Sequence, residues 1–267
     1  RYPILYLYRR QQTDSAGPGR FRGGAGLSLM ATPHDVERIP DLALHSHGLE
    51  VPTAFGLYGG YPGSTNQCII KRNTKIEELF KTGSMPQDID ELEGEVEIPP
   101  GVAASYLNRG DIYLCLSCGG GGYGDPLERD TELVVRDIAS GLVSTKWAKE
   151  VYGVVGDART RTIDRRATKE VRLTILSERH KSRQVGTAFH QLISPEATGR
   201  RLNAYLSIGH STEGDFIQCR CGHVLCLTRE DYRDHAATAA PPWSKAGPYT
   251  MNLVKRPEFR LREFYCP

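Results

Sequence analysis

Gly119-Gly120-Gly121-Gly122-Tyr123-Gly124 follows the apolar and aromatic run 111–118 and precedes a helical pattern that starts at Asp130. Its spacing matches the glycine fingerprint of a strand-loop-helix unit that wraps a dinucleotide, so the reading of this stretch decides between a nucleotide-binding α/β fold and a different one. The context fails the nucleotide fold. The helices that follow return to no parallel strand, and no acid closes such a strand about 20 residues further on, where a ribose hydroxyl needs it. No Lys-Ser or Lys-Thr follows the last glycine, so this is not a Walker loop either. The run is expected to hold backbone dihedrals that only glycine tolerates, packed tightly under another subunit.

Upstream of the glycines the chain is β-rich. Segments 3–8, 27–32, 53–58, 67–71, 102–107 and 111–118 are apolar, aromatic or β-branched, and turn residues bound most of them. The polar, acidic stretch 75–97 is broken by Gly83, Pro86 and Gly94 and reads as an exposed, irregular excursion. Downstream the period changes. Asp130 is an N-cap candidate ahead of Leu133, Val134 and Ile138, and Gly141 stands where a helix should stop. Ser144 then caps a second short helix over 145–152. Residues 157–183 turn strongly basic and read as a linker with a short helix or strand, either solvated or set against an acidic partner subunit.

The C-terminal part carries the sharpest chemical signal. In Cys219-Arg220-Cys221-Gly222-His223 an extended backbone points residues i and i+2 to one face, so both sulfurs reach one ion. Tetrahedral zinc asks for four ligands, and Cys266 offers a third. The fourth is expected beyond Pro267, as in a Cys-Pro-x-Cys knuckle cut in mid-motif, or from His223 or Cys226. The alternative is a set of buried, inert thiols.

With 267 residues, 39% hydrophobic content and a net charge of +2, the chain has the composition of a globular protein of one large or two modest domains. No polybasic tail announces nucleic acid, and no apolar run approaches the roughly 20 residues that span a bilayer. The opening Arg1-Tyr2-Pro3 does not read as a signal peptide, and seven unevenly spread cysteines make no secreted disulfide framework. A cytoplasmic location is expected.

Other constellations are weaker. Cys115-x-x-Cys118 has knuckle spacing, yet on a strand the two positions face opposite ways. His45-Ser46-His47 near Glu50 reads equally well as exposed loop histidines. Neither a Gly-x-Ser-x-Gly elbow nor a His-Glu-x-x-His helix occurs.

Four ordered motifs carry a resemblance. They are the 17–26 stretch Gly-Pro-Gly-Arg-Phe-Arg-Gly-Gly-Ala-Gly, the 52–63 stretch Pro-Thr-Ala-Phe-Gly-Leu-Tyr-Gly-Gly-Tyr-Pro-Gly, Gly110-Asp111 ahead of the glycine run with Asp125-Pro126-Leu127, and the helical stretch 130–155. Together they resemble the C-terminal part of the hydantoinase B family, which includes a large subunit of acetone and acetophenone carboxylases. The segments 216–223, 231–233 and 261–267 resemble that enzyme's small zinc-binding gamma subunit. The resemblance implies Cys219, Cys221 and Cys266 as ligands of a structural zinc. It assigns no catalytic residue here; Arg20 and Arg22 are expected to make structural hydrogen bonds or to lend charge to a neighbouring cavity.

The fold class expected is therefore α+β and β-rich. Residues 1–156 form a hydantoinase B-like β-module closed by two short helices, 157–183 a basic linker, and 184–267 a small zinc-ribbon-like domain, apparently truncated. The resemblance implies a subunit of an ATP-dependent ketone carboxylase that joins bicarbonate to an acetone- or acetophenone-like ketone. ATP and a divalent metal are expected in the complex but not on this chain alone, and the partners are hydantoinase A-like ATP-binding subunits with the upstream part of the hydantoinase B-like subunit in a hetero-oligomer. Neither nucleic acid nor membrane is expected as a partner. An ATP-dependent hydantoinase, oxoprolinase or lactamase is the hydrolytic alternative, and a non-catalytic, zinc-stabilised assembly module is the third.

Overall fold

The computed structural model describes residues 3–45, 47–157, 159–160, 162–184, 199–250 and 258–267. Its front part is built on a five-stranded antiparallel sheet. The strands are β1 (Ile4–Gln11), β2 (Leu27–Pro33), β4 (Gln67–Arg72), β5 (Glu95–Glu97) and β7 (Ile112–Leu116), in the order β1-β2-β7-β4-β5. Between them in sequence, β3 (Arg38–His45) and β6 (Val102–Asn108) pair as a separate ribbon.

Side-chain alternation sorts the two faces of the sheet. Ile69 of β4 stands opposite Leu114 of β7, on the face that also buries Met30, Ile112 and Leu116. One residue on, Ile70 stands opposite Tyr113 and points to the other face, where the ribbon contributes Ile39, Leu42, Leu44 and Leu107. The sheet is thus covered on both sides.

Two expectations change here. The stretch 75–97 is not an irregular exposed loop. It holds α1 (Ile76–Lys81) and β5, and it buries Ile76, Ile89 and Leu92 against the first face. Ile76, Leu79 and Phe80 carry a helical spacing that the surrounding acids conceal. Conversely, 53–58 forms no strand; its bridge is an isolated one between Leu57 and Tyr123, outside the named strands. Strand β3 was not expected, because Pro40 interrupts its pattern, and the β3–β6 register shifts between Ile39 and Leu42.

The two short helices are present as α2 (Thr131–Ala139) and α3 (Thr145–Glu150). Asp130 caps α2 by accepting from the Glu132 N–H, Ser144 caps α3 by accepting from the Trp147 N–H, and Gly141 takes a φ of +71° just past α2. Val134, Val135, Ile138, Val143, Trp147 and Tyr152 form a third core.

A short hairpin of β8 (Gly156–Asp157) and β9 (Thr162–Ile163) leads into α4 (Arg165–Ser182). The basic stretch is therefore an 18-residue helix, not a linker with one short element. The expected start of the last module, near Gln184, adjoins residues 185–198, which lie outside the described residues.

The C-terminal part is an antiparallel meander of β10 (Arg200–Arg201), β11 (Leu206–Gly209), β12 (Phe216–Cys219) and β13 (Val224–Leu227). Helix α5 (Tyr232–His235) follows, then β14 (Ala237–Ala239), which pairs with β15 (Glu263–Tyr265). Ala246 and Leu261 reach back into the α2–α3 core. No helix among the described residues is long and apolar enough to cross a membrane.

Candidate functional site

Two features were singled out by sequence, the glycine run and the tail thiols, and the structure treats them differently. The glycine run is the centre of a backbone interlock. Segments 17–26, 54–63 and 119–124 lie against each other with almost no side chain between them. Gly17 N–H donates to Gly120 O at 2.8 Å, Gly120 N–H to Gly24 O at 2.9 Å, and Gly122 N–H to Tyr61 O at 2.9 Å. Tyr123 and Phe21 exchange hydrogen bonds, and Gly119 N–H donates to Ser64 Oγ.

The expected reason for the glycines is corrected by this arrangement. In the run only Gly124, at φ +75°, is in the left-handed region. Gly119, Gly121 and Gly122 are needed for close approach, since a Cβ there would run into the carbonyls of Ser15, Phe55 and Pro18, and one on Gly23 would run into the Gly120 carbonyl. The amides at 119, 120, 122, 123 and 124 are already bonded within the chain, so a diphosphate finds no cradle here.

At the edge of the interlock Arg22 forks onto Asp137, with Nε and Nη2 each 3.0 Å from a carboxylate oxygen, and Arg129 Nη2 lies 2.7 Å from the same group. Burial alone would raise the Asp137 carboxyl, but Arg22 and then Arg129 outweigh it and hold it below the ordinary carboxylate range. Arg22 is thus structural. Arg20 lies 3.9 Å from Glu128 and over the Phe21 ring. Asp137 and Arg129 carried no motif and were missed by sequence.

The tail thiols converge. Cys219 ends β12, and a tight turn through Gly222, at φ +95°, returns the chain into β13, with Gly222 N–H donating to Cys219 O at 2.8 Å. Cys266 arrives from the end of β15. The three sulfurs lie within 4.8 Å of one another, and Cys221 Sγ is 3.4 Å from Cys266 Sγ. The His223 N–H donates to Cys221 and holds its thiol below the ordinary value, whereas burial pushes Cys266 up to about 12. Three convergent sulfurs with an open side suit a soft, tetrahedral divalent ion.

Neither local substitute for a fourth ligand joins them. Cys226 is fully buried beside Ile217 and Leu225 and is not among the convergent sulfurs, and burial raises its thiol to about 11. His223 is exposed and outside the cluster. Cys115 lies opposite Cys68 in the β4–β7 ladder, not beside Cys118, so that pair is no chelator. The His45-x-His47 pair depends on the His45 side chain and Ser46, which lie outside the described residues.

With this geometry in hand, the comparisons are informative. The model of the hydantoinase B/oxoprolinase family matches residues 1–126, which take in the five-stranded sheet, the ribbon and all three interlocked segments. Residues 1–126 belong to the hydantoinase B/oxoprolinase family. The acetophenone carboxylase delta subunit of Aromatoleum aromaticum is 30% identical over 200 residues, 71% of this chain and 29% of that protein. The acetone carboxylase alpha subunit of Xanthobacter autotrophicus is 30% identical over 168 residues, 57% of this chain and 21% of its own length. The caprolactamase subunit beta of Pseudomonas jessenii is 31% identical over 156 residues, 58% of this chain and 24% of that subunit. A nucleotide-free structure of acetone carboxylase superposes with a TM-score of 0.57 at 26% identity, covering 67% of this chain and 25% of that one. The chain spans less than a third of each of these relatives.

The hydantoinase B region is bolted to the thiol-bearing part by a polar seam. Asp125, which ends the glycine run, accepts from Arg179 Nη1 of α4 at 2.7 Å, and its N–H donates to Tyr205 Oη at 2.8 Å. Glu128 accepts from Tyr205 and Arg220, the latter lying between the first two thiols. Tyr61, 5% exposed, donates to Glu263 of β15, which also meets Tyr265 and Lys245. Arg183 Nη1 donates to Cys266 O at 2.9 Å.

Proposed function

We propose that this chain is part of a subunit of a multi-subunit, ATP-dependent ketone carboxylase that joins bicarbonate to an acetone- or acetophenone-like ketone. The observation that carries the reading is the meeting of two features on one polypeptide. A hydantoinase B region similar to acetone and acetophenone carboxylase subunits is fastened to a part in which Cys219, Cys221 and Cys266 converge.

In this reading the chain supports the reaction rather than carrying its nucleotide. The amides of residues 119, 120, 122, 123 and 124 are spent in the interlock, and ATP and its divalent metal would belong to partner chains of the hydantoinase A type, with catalytic residues elsewhere in the complex. The three thiols would hold zinc. They fit it by softness and by spacing; with the fourth position filled by a ligand expected beyond Pro267, such an ion would supply rigidity, not an activated water. Its work is to fix the end of β15 to the β12–β13 turn, and thereby to hold Glu263 against Tyr61 and Arg183 against Cys266.

The hydrolytic reading is favoured by one observation, the similarity to a caprolactamase subunit. Stoichiometry of the purified complex separates the two. Bicarbonate-dependent ATP cleavage with acetone or acetophenone supports carboxylation. ATP use with a lactam and without bicarbonate supports ring opening and rejects the ketone reading. An assembly module without a share in catalysis would lose complex integrity, with turnover per assembled particle unchanged, when Cys219 or Cys221 becomes serine.

A further inference from the structure

Helix α4 is fastened by polar clamps to Asp125 and to the segment 129–155 that follows the hydantoinase B region, and not by an apolar face. Only Thr168 and Arg179 of its side chains are buried. Thr168 bonds the Val155 backbone, Arg172 donates to the carbonyls of Tyr152 and Arg129, and Arg179 meets Asp125. Leu173 and Leu176 are left 56% and 40% exposed in the middle of a basic helix.

These exposed groups are not scattered. Arg165, Lys169, Arg172, Leu173, Leu176 and His180 fall at helical spacings that place them on one face of α4, with half-buried Arg183 just past its end, and so form one stripe. Two depressions lie along it. A cleft of about 300 Å³ is lined by Arg165, Lys169, Arg172 and Leu173, with Thr131 and Ile163 on its other wall. A smaller one of about 80 Å³ continues past Leu176 to Arg183, with Asp125 and Tyr265 opposite.

The charge along this groove is positive and poorly neutralised. The helix's own acids, Glu170 and Glu178, fall off the stripe, and Glu170 is engaged by Arg166. On the facing wall Glu132 lies 3.6 Å from Arg165 and Asp125 is occupied by Arg179. Arg172 and Arg183 spend hydrogen bonds on carbonyls, which satisfy donors without cancelling charge. Burial lowers the Arg172 pKa, and Asp125 and Asp130 are the acids that face it.

We propose that the groove along α4 receives an acidic segment, bearing aliphatic side chains, from another subunit of the complex. Its carboxylates meet Lys169, Arg172 and Arg183, and its aliphatic groups cover Leu173 and Leu176. The inference rests on the multi-subunit part of the functional reading and not on the reaction catalysed. A protein segment is favoured over nucleic acid or a lipid surface because the exposed middle of the stripe is aliphatic and the groove is walled on one side, which suits a single strand or helix of polypeptide.

The test uses the intact complex. Carbodiimide cross-linking with mass spectrometry is expected to join the Lys169 amine to an aspartate or glutamate of a different subunit. Leu173→Asp and Lys169→Glu, both at exposed positions, are each expected to lower co-purification of that subunit about tenfold. Lys181→Glu, off the stripe, is expected to leave it unchanged. Unchanged far-ultraviolet circular dichroism of the variants separates lost docking from lost folding. The proposal is overturned if Lys169 cross-links only within this chain or to a second copy, if the first two variants retain the subunit at the original level, or if RNA or anionic vesicles occupy the groove instead. A complex that carboxylates ketones while those variants assemble normally removes the groove and leaves the functional reading intact. A Lys169 cross-link to another subunit in a complex without ketone activity does the reverse.

Discussion

Cys221 Sγ lies 3.4 Å from Cys266 Sγ although 45 residues separate them, and the strand that delivers Cys266 is paired to β14 and not to the hairpin that carries Cys221. Two separately hydrogen-bonded elements therefore meet sulfur to sulfur at an open surface. Unliganded, such a meeting crowds polarisable groups; with a divalent ion between them it becomes a cross-link.

The purified complex should hold one zinc per copy of this chain by native mass spectrometry with elemental analysis, and Cys221→Ser should remove it. Because thiolates and not thiols bind the metal, retention should fall as pH is lowered. Zinc content unaffected by Cys221→Ser removes the cluster from the metal's ligands.

The interlock makes a paired prediction about neighbouring glycines. A Cβ at Gly23 meets the Gly120 carbonyl, whereas one at Gly24 has nothing within 4 Å. Gly23→Ala should lower stability by about 1–3 kcal/mol or more, as overpacking does. Gly24→Ala should stay within about 0.5 kcal/mol of the original protein. Denaturant midpoints measure both, and equal effects would contradict close approach as the reason for the glycines.

Asp137, 4% exposed, is clamped by two guanidinium groups. Asp137→Asn leaves Arg22 and Arg129 without their shared anion and should cost about 3–5 kcal/mol. The folded carboxyl has a lowered pKa, so its stabilisation is complete above the unfolded value of about 4 and is lost as pH falls through the lower folded value. Unfolding curves from pH 7 downward should accordingly show the original protein losing its advantage over Asp137→Asn only below about pH 4. A difference that is constant with pH would rule out the ion pair as its source.

Tyr61 to Glu263 is the point where the hydantoinase B region grips β15. Tyr61→Phe removes one donor from a carboxylate that keeps Tyr265 and Lys245, so the loss should be modest, about 1–2 kcal/mol. Amide exchange should quicken at residues 263–265 and leave β2 and β7 unchanged. Uniform quickening throughout would mean that the contact is not local.

Several levels of this protein are legible in its sequence. Period-two segments gave five of the front strands, because alternation is a local property. Asp130, Ser144 and Gly141 marked the ends of α2 and α3, since a cap is a bond between near neighbours. The three thiols were drawn together in sequence by residue type; they do converge, but Cys219 and Cys221 meet through the turn after β12 and not along an extended strand.

The features decided in three dimensions are those in which distant segments choose each other. Why Gly119, Gly121 and Gly122 must be glycine could not be read from them, since the reason is the backbone of Ser15, Phe55 and Pro18 pressed against theirs. The acids around Ile76, Ile89 and Leu92 hid a helix that only the sheet's apolar face brings into place. Asp137 between Arg22 and Arg129, Asp125 under Arg179, and the groove along α4 are likewise products of packing. A sequence records which groups a segment owns, whereas partners far along the chain are set by which burial leaves the fewest polar groups unpaired.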